Sequence, residues 1–290
     1  MKYSQKVILI TGCSSGFGLL MAARLASLGH KVYATMRNLD KKDALVNELN
    51  KRGAQANILQ LDVTNKESIK KTIDIVSNEY GYIDVLINNA GFGMGGFFED
   101  LDDKEIRLQL ETNFFGVQNV IREVVPLMRP RKEGKIINVS SIAGLTASPC
   151  FSAYNASKWA LEGFSESLMY ELKLFGIGVH LIEPGTYKTK IFHENANYAT
   201  NFDNKESPYY AYSQYLREKV MEYVNDCYKN PEDVAVLAEK IIMSKNPPFR
   251  NIPDLESKVL FTLRKCLPFR LYSFLINKIL PTKLSDGRNP

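Results

Sequence analysis

Cysteine and histidine, the residues of metal sites and disulfide frameworks, are scarce in this sequence. Its 290 residues include four cysteines and three histidines. The cysteines have no C-x-x-C or metal-ligand spacing, and the histidines form no ligand set. No hydrophobic run approaches the roughly 18 residues that a membrane span needs, and no cationic-then-apolar signal segment is present. We therefore expect no metal and no disulfides, and we predict a cytoplasmic protein.

Acidic residues are missing from one segment near the end of the chain. Between Ser257 and Ser285 there are six lysines or arginines and no aspartate or glutamate, whereas the charges of the remaining chain nearly cancel. The net charge of +5 therefore belongs to this segment. Its cations are interleaved with large apolar side chains and accompany no nucleic-acid reader motif, so nucleic-acid binding is not expected.

Short apolar runs alternate along the chain with longer helical patterns. This alternation predicts an α/β fold with a Rossmann-type doubly wound parallel sheet of about seven strands and helices on both faces. The predicted strands cover residues 7–10, 31–36, 57–61, 83–87, 134–139, 178–182 and 249–252. We predict one domain over residues 1–290, with a substrate-lid insertion over 188–229 and a helical C-terminal extension over 255–290. Ligands of such sheets lie at the carboxyl ends of the strands.

The turn after the first strand reads T-G-C-S-S-G-F-G over residues 11–18. Glycines let the backbone approach a pyrophosphate, whose charge would be met by free N–H groups at the following helix N-terminus. The residues assigned to the cofactor here are Thr11, Gly12, Ser14, Ser15, Gly16, Phe17 and Gly18. The spacing Gly-x-x-x-Gly-x-Gly differs from the G-x-G-x-x-G fingerprint, and taken alone it also fits a plain glycine turn.

The end of the second strand lacks the acidic residue that commonly binds a ribose 2′-hydroxyl. Arg37 stands there instead and could form a bidentate pair with a 2′-phosphate, although a solvated surface arginine is the alternative. We predict NADP(H) as the preferred cofactor and keep NAD(H) open, because Asp40 lies nearby. Further cofactor contacts, or ordinary turns, are predicted where the third and fourth strands end, at Asp62, Val63, Asn89, Ala90 and Gly91.

Tyr154 and Lys158 lie four residues apart at the predicted start of a helix, so their side chains share one face. A phenol with a pKa of about 10 exchanges protons poorly at neutral pH. A lysine ammonium beside it favours the phenolate and lowers that pKa. The pair is therefore a workable acid/base, although Y-x-x-x-K by itself is a common helical spacing.

Six motifs together resemble those of the classical short-chain dehydrogenase/reductase family. They are T-G-C-S-S-G-F-G, N-N-A-G, the Asn of E-T-N-F-F-G, I-I-N-V-S-S-I-A-G, Y-N-A-S-K and P-G-T-Y-K-T, in family order over residues 6 to about 190. Within the family, K-V-Y-A-T-M-R and A-S-K-W-A-L-E-G-F-S-E-S-L are most similar to hydroxysteroid and retinol dehydrogenase-like members.

The resemblance implies an enzyme that moves a hydride between nicotinamide and a carbonyl or alcohol. It implies that Tyr154 is the general acid or base, that Lys158 lowers its pKa and holds the ribose hydroxyls, and that Ser141 binds the substrate oxygen. Asn113 would anchor a water that links Lys158 to bulk solvent. The remaining cofactor contacts implied by the resemblance are Pro184, Gly185 and Thr189. A homodimer or homotetramer is the expectation for this family.

The lid segment is rich in tyrosine and phenylalanine, which predicts a hydrophobic cleft for a lipophilic substrate such as a steroid, a retinoid or another lipid. The alternative is that these rings only pack the lid onto the body. The basic C-terminal segment, predicted as two short helices broken at Pro268, also has two interpretations. It is a peripheral membrane contact, or it is a cover that packs its apolar face over the cleft.

Two other functions are consistent with parts of the sequence. One is a 3-oxoacyl-type reductase of lipid or polyketide synthesis, against which the long aromatic lid counts. The other is a non-catalytic dinucleotide sensor. The presence of Asn113, Ser141, Tyr154 and Lys158 argues against a sensor, because a sensor has no need of an acid/base pair.

Overall fold

The computed structural model describes residues 4–189 and 197–280. Its strands are β1 (Val7–Ile10), β2 (Lys31–Met36), β3 (Asn57–Gln60), β4 (Val85–Asn88), β5 (Met94–Gly95), β6 (Gly134–Val139), β7 (Ile177–Ile182), β8 (Asn197–Tyr198) and β9 (Arg250–Asn251). Seven of them form one parallel sheet in the order β3-β2-β1-β4-β6-β7-β9. The predicted Rossmann-type sheet is confirmed, and its strand order reverses between β1 and β4.

Helices cover both faces of this sheet. They are α1 (Gly16–Ser27), α2 (Asp43–Lys51), α3 (Lys66–Tyr80), α4 (Asp103–Leu110), α5 (Gly116–Met128), α6 (Ser152–Lys173), α7 (Tyr210–Asn225), α8 (Glu232–Met243), α9 (Leu255–Cys266) and α10 (Phe269–Asn277). Along β1, Ile8 and Ile10 pack in the cluster that includes α1, α2 and α8, whereas Val7 and Leu9 pack in the cluster of α3, α5 and α6. Because side chains alternate between the two faces along a strand, β1 contributes to a hydrophobic core on each face of the sheet.

The sequence predicts one long helix over residues 104–128, and the structure divides it. A π-helical turn, Glu111–Phe115, separates α4 from α5. The wider turn places Asn113 inward, where it is 1% exposed. Such turns often occur at functional sites, and single-sequence periodicity does not reveal them because the apolar spacing on either side stays helical. The described residues also include four short 3₁₀ segments: Leu39–Lys41, Phe98–Asp100, Arg129–Arg131 and Ile142–Gly144.

The predicted lid segment, 188–229, lies partly outside the described residues, and this includes Phe192 and His193. Within the described part, β8 pairs in parallel with β5, a two-stranded unit that the sequence did not predict. Phe202 is buried there with Leu216 of α7, beside Phe151 at the start of α6. Some of the lid aromatics therefore pack against the body, as the more modest interpretation expected.

The C-terminal segment forms α9 and α10, with Pro268 between them as predicted. Among the large apolar side chains of its described residues, 255–280, only Tyr272 is buried. Eight others are between 39% and 73% exposed: Leu255, Val259, Leu263, Phe269, Leu271, Phe274, Leu275 and Ile279. Part of the segment packs on the body, since Leu280 contacts the cluster that contains Met94 and Phe202, and much of its remaining apolar surface is exposed. Among the helices of the described residues, none combines the length and hydrophobicity that crossing a bilayer would need.

Candidate active site

Two side chains tie together the loops that follow β1 and β4. The Thr11 hydroxyl accepts hydrogen bonds from the backbone N–H groups of Asn89 and Ala90, each at 3.0 Å. In return, the Asn89 side-chain amide donates to the carbonyl oxygens of Thr11 and Gly12, at 3.0 and 2.9 Å. Thr11 is 1% exposed, so these bonds are shielded from water and fix the separation of the two loops.

Two glycines of the first loop, Gly12 and Gly18, have no room for a side chain. A Cβ atom on Gly12 would lie 2.7 Å from the Ala90 Cα atom, and the φ angle of Gly12 is +74°. A Cβ atom on Gly18 would lie 2.4 Å from the Asn89 amide nitrogen. Gly16 begins α1, whose first turn contains no acidic residue. The bare loop and the helix N-terminus therefore form a cradle that fits a pyrophosphate.

Other predicted cofactor residues surround this cradle. Phe17 packs edge-on against Tyr187, with ring centroids 5.4 Å apart. Thr189 lies on the other side, 3.9 Å from where Gly16 would carry a Cβ atom. Two further residues of the loop are partly exposed: Ser14 and Ser15. The structure thus brings residues 11–18 and 189 together.

The ends of β2 and β3 carry the residues predicted to hold the adenosine half. Arg37 is exposed directly after β2. Asp62, beyond β3, uses Oδ1 to accept hydrogen bonds from the Thr64 N–H and hydroxyl, at 2.9 and 2.7 Å. This oxygen fixes its own turn, which is the turn chemistry considered as the alternative. Val63 is buried where Gly116, lacking a side chain, lets the π-helical region approach it.

Tyr154 and Lys158 lie on one face of α6 near its amino end. The Lys158 Nζ atom is 5.9 Å from the centre of the Tyr154 ring and donates a hydrogen bond to the Val139 carbonyl oxygen at 3.0 Å. The loop after β4 closes over the pair. A Cβ atom on Gly93 would lie 3.8 Å from the Tyr154 ring, and one on Gly91 would lie 3.9 Å from Lys158 Nζ.

Burial changes the pKa of both groups. Desolvation raises the pKa of the Tyr154 phenol, and the Ser141 hydroxyl lowers it in part. Desolvation lowers the pKa of the Lys158 ammonium to about 8, and the negative charge of Glu162 opposes this. At neutral pH the pair therefore holds a protonated phenol beside a lysine that is largely ammonium. This is the protonation state from which a phenol can donate a proton to a carbonyl oxygen.

Ser141 lies where β6 ends, facing the same opening. Its hydroxyl accepts the Ala143 N–H at 3.1 Å and donates to the Pro184 carbonyl oxygen at 3.4 Å. A donor–acceptor distance of 3.4 Å is long for an O–H···O hydrogen bond. The hydroxyl proton can therefore turn to a better acceptor, such as a substrate oxygen, at little cost.

Asn113 is buried beside the pair, but its side chain is already engaged. Its Oδ1 atom accepts the Phe92 N–H at 3.1 Å, and its Nδ2 atom donates to the Phe92 carbonyl oxygen at 2.9 Å and to Ser157 Oγ at 3.2 Å. Asn113 therefore holds the loop after β4 against α6. The water relay to Lys158 stays a prediction.

Sequence reasoning missed Asp254, which holds the turn at Gly185. Asp254 caps α9 by accepting from the Ser257 N–H at 3.0 Å, and its Oδ2 atom accepts the Gly185 N–H at 3.0 Å. Lys229 pairs with the same carboxylate at 3.3 Å. The pattern Asp-x-x-Ser is a readable capping signal, but nothing in the sequence indicates that this helix start contacts residue 185.

Comparison with known proteins agrees with this geometry. A family model described as short chain dehydrogenase matches residues 6–199. This chain belongs to the short-chain dehydrogenase family. It is 39% identical over 260 residues to a 3-ketodihydrosphingosine reductase of Bacteroides thetaiotaomicron, covering 90% of this chain and 92% of that protein. It is 33% identical over 282 residues to human retinol dehydrogenase 8, covering 91% and 86%. The chain is therefore an oxidoreductase of CH–OH and carbonyl groups.

Solved structures of this short-chain dehydrogenase family have the same fold with nicotinamide dinucleotides bound. A Burkholderia phymatum member in complex with NAD superposes with a TM-score of 0.80 at 26% identity, covering 98% of this chain and 100% of that chain. An actinorhodin polyketide ketoreductase variant with NADPH superposes with a TM-score of 0.73 at 28% identity, covering 87% and 96%. The cofactor class is a nicotinamide dinucleotide, and the cradle between β1 and β4 fits it.

The Thr11 bonds predict a specific stability effect. Thr11→Val keeps the shape of the side chain but leaves two partly buried N–H groups without their acceptor, so we expect a loss of about 1 to 2 kcal/mol in the free energy of unfolding. We also expect weaker dinucleotide binding, because the two loops can separate. Urea unfolding and fluorescence titration measure these effects. Thr11→Ser keeps the hydroxyl oxygen and should retain most of the stability and most of the dinucleotide affinity. Equal losses in Thr11→Val and Thr11→Ser would contradict the role assigned to the Thr11 hydroxyl.

Proposed function

We propose that the protein is an NADPH-dependent reductase of lipophilic ketones or aldehydes, with Tyr154 as the general acid. The observation that carries this proposal is the Tyr154–Lys158 pair, a half-buried phenol beside a buried lysine, which lies between the Ser141 hydroxyl and the loop after β4. When bound, the nicotinamide supplies the hydride. Every other task in the reaction falls to side chains of this chain.

In the reduction direction, the Tyr154 phenol gives its proton to the substrate oxygen as negative charge develops there. The Ser141 hydroxyl donates a hydrogen bond to the same oxygen and stabilises that charge. The Lys158 ammonium stabilises the phenolate that remains and presents its other N–H groups to the cofactor ribose. Alcohol oxidation uses the same groups in reverse, with the phenolate as base.

Arg37 supports the preference for NADPH. Its guanidinium is exposed at the end of β2, the position from which a side chain reaches the ribose 2′ substituent. A planar guanidinium binds a phosphate in a bidentate manner, whereas a carboxylate there would repel it. NADH remains the alternative, since family members bind either dinucleotide.

Two features support a lipid-like substrate. Relatives that align over most of this chain are named for a long-chain keto base and for retinol. The opening beside Tyr154 is also aromatic: Tyr198 approaches Gly95, and the Phe97 ring stacks on Tyr209 at 4.6 Å. We therefore propose a long-chain or polycyclic lipid ketone or aldehyde as substrate.

The C-terminal segment supports attachment to a membrane surface. The exposed apolar side chains of α9 and α10 are joined by cations, among them Arg270 and Lys278, and no acidic residue occurs between Ser257 and Ser285. Such a surface fits an anionic bilayer, in which lipid ketones are dissolved. The N-cap of α9, Asp254, contacts Gly185, so the surface continues from the active site.

We also propose that the chain forms a homodimer or homotetramer, because Phe115 and Trp159 are exposed near the α4, α5 and α6 helices.

The cofactor preference is tested by Arg37→Asp. We expect NADPH affinity to fall by at least about tenfold, because charge-assisted hydrogen bonds are lost and a repulsive charge is added. NADH affinity should hold or improve. Fluorescence titration measures both, and Lys31→Asp, at the opposite end of β2, is the matched charge control. Wild-type protein that prefers NADH would overturn the Arg37 assignment.

The acid/base assignment is tested by Tyr154→Phe. We expect turnover to fall by about a thousandfold with NADPH binding retained, because only the donated proton is removed. Tyr170→Phe, an exposed tyrosine on the same helix, should leave turnover unchanged. The substrates are 3-ketodihydrosphingosine, retinal and a 3-oxoacyl thioester. Turnover of the thioester alone would favour the acyl-reductase alternative. Turnover that is unchanged in Tyr154→Phe would overturn the acid/base assignment, and a wild type that binds NADPH but turns over none of the substrates would favour a dinucleotide sensor.

Membrane attachment is tested by vesicle sedimentation. We expect the full chain to bind phosphatidylserine-containing vesicles more tightly than pure phosphatidylcholine vesicles, with binding reduced by salt. The double variant Phe269→Asn, Phe274→Asn should lose about tenfold in vesicle affinity, since two inserted rings are removed. Leu174→Asn, an exposed apolar residue at the far end of α6, is the control. Equal binding by both variants, or none by wild type, would contradict the proposal.

A further inference from the structure

Two buried glutamates and a partly buried arginine lie behind the candidate acid/base pair, and the proposed reaction uses none of them. Glu162 lies on α6, Glu183 follows β7, and Arg250 lies on β9; the two carboxylates are 5% and 0% exposed. Arg250 Nη1 donates to both, contacting Glu162 Oε2 and lying 3.0 Å from Glu183 Oε1. The Asn251 N–H donates to the second oxygen of Glu183 at 2.7 Å.

With both carboxyl groups ionised, the cluster would carry more negative charge than its guanidinium can balance. Two buried carboxylates share one Arg250 nitrogen, and the next carboxylate, Glu166, is largely exposed and 3.5 Å from Arg250 Nη2. Desolvation raises the pKa of Glu162, and the Ser140 hydroxyl, Arg250 and Lys158 lower it in part. Desolvation and the charge of Glu162 raise the pKa of Glu183 to about 8. Because two buried carboxyl groups share one guanidinium, the cluster favours a proton on one of them and leaves one carboxylate charge facing Arg250.

Lys158 is the other cation next to this cluster. Glu162 follows it by four residues on α6, so the two side chains share one helix face. Lys158 is 7% exposed, and its hydrogen bond to Val139 goes to a neutral carbonyl oxygen. Among the described residues, Glu162 is the carboxylate whose charge acts on Lys158. The Glu162 side chain fits in this place because Gly144 has no side chain: a Cβ atom on Gly144 would lie 2.8 Å from it.

We propose that Glu162 is a positioning residue for the reaction, whose buried negative charge keeps Lys158 in its ammonium form, and that Arg250 and Glu183 hold Glu162 in place. The proposal rests on the proposed roles of Tyr154 and Lys158. Stability alone does not account for these buried charges, since apolar residues of similar volume commonly stabilise a core as well as a buried ion pair. The negative charge of Glu162 is accounted for if Lys158 must stay protonated.

The test measures the charge state of Lys158 directly. In the full-length protein, only the neutral amine reacts with a small acylating reagent, so site-resolved mass spectrometry of the labelling rate against pH gives the titration of Lys158. We expect Glu162→Gln to lower the pH midpoint of Lys158 by about one unit, because the charge that favours its ammonium is removed. The alkaline limb of the pH profile for carbonyl reduction should move in the same direction by the same amount.

The matched control is Glu166→Gln, the same substitution one turn further along α6, on an exposed residue that contacts the same arginine. It should leave the Lys158 midpoint unchanged, and exposed Lys173 gives an internal reference in every sample. A second pair, Arg250→Met and Arg250→Lys, tests the cluster independently. Arg250→Met should lower the pH midpoint of Lys158 as Glu162→Gln does, because the carboxylates then take up a further proton. Arg250→Lys should restore the wild-type midpoint.

A Lys158 midpoint that is the same in Glu162→Gln and Glu166→Gln would overturn the proposal, as would Arg250→Met and Arg250→Lys having equal effects. Should Glu162→Gln fail to fold, the arginine pair decides the question by itself. Labelling reports on Lys158 whether or not a substrate has been found. An inactive wild type would therefore count against the proposed function, while the titration would still decide the role of Glu162.

Discussion

A parallel sheet that is covered by helices on both faces can place polar groups only where its strands end. In this protein the order of strands reverses between β1 and β4, and the loops that leave these two strands diverge to opposite faces. The opening between them would widen without a connection. The hydroxyl of Thr11 and the amide of Asn89 supply that connection through four hydrogen bonds. The cradle for the dinucleotide and the position of the loop over Tyr154 both depend on it.

The site is a layered arrangement of charges that are progressively better shielded from water. Tyr154 and Ser141 are partly exposed at the opening, Lys158 is buried below them, and Glu162 and Glu183 lie deeper still. The charge of Glu162 raises the pKa of both Lys158 and Glu183, because the Coulomb energy between charges grows as the effective dielectric constant falls. The acid/base pair of this protein is therefore best described together with the carboxylates behind it. The outer surface of α9 and α10 has no such layers, since apolar and cationic side chains are exposed there side by side.

Much of the arrangement was predictable because it depends on local order in the chain. The alternation of apolar runs and helical patterns predicted the seven-stranded sheet, and motifs at the strand ends predicted which residues would meet there. Asn113, Ser141, Tyr154 and Lys158 are each placed by the element that carries them, and the structure brings them to the same edge. Periodicity could not reveal the π-helical turn at Asn113, since that turn is a change in backbone geometry with no pattern of its own. It could not reveal the pairing of β5 with β8 either, because two-residue strands have no period.

The sequence by itself determined the family, the sheet, the glycine turn and the spacing of tyrosine and lysine, because each is written within a few consecutive residues. Only the tertiary structure decided that Arg250 meets Glu162 and Glu183, that Asp254 holds Gly185, and that much of the apolar surface of the C-terminal helices is exposed. Arg250 lies 65 or more residues from both glutamates along the chain, and so does Asp254 from Gly185. No local propensity therefore links the residues of these contacts. Burial turns them into strong interactions, since a charge removed from water acts on the few groups that the fold places beside it.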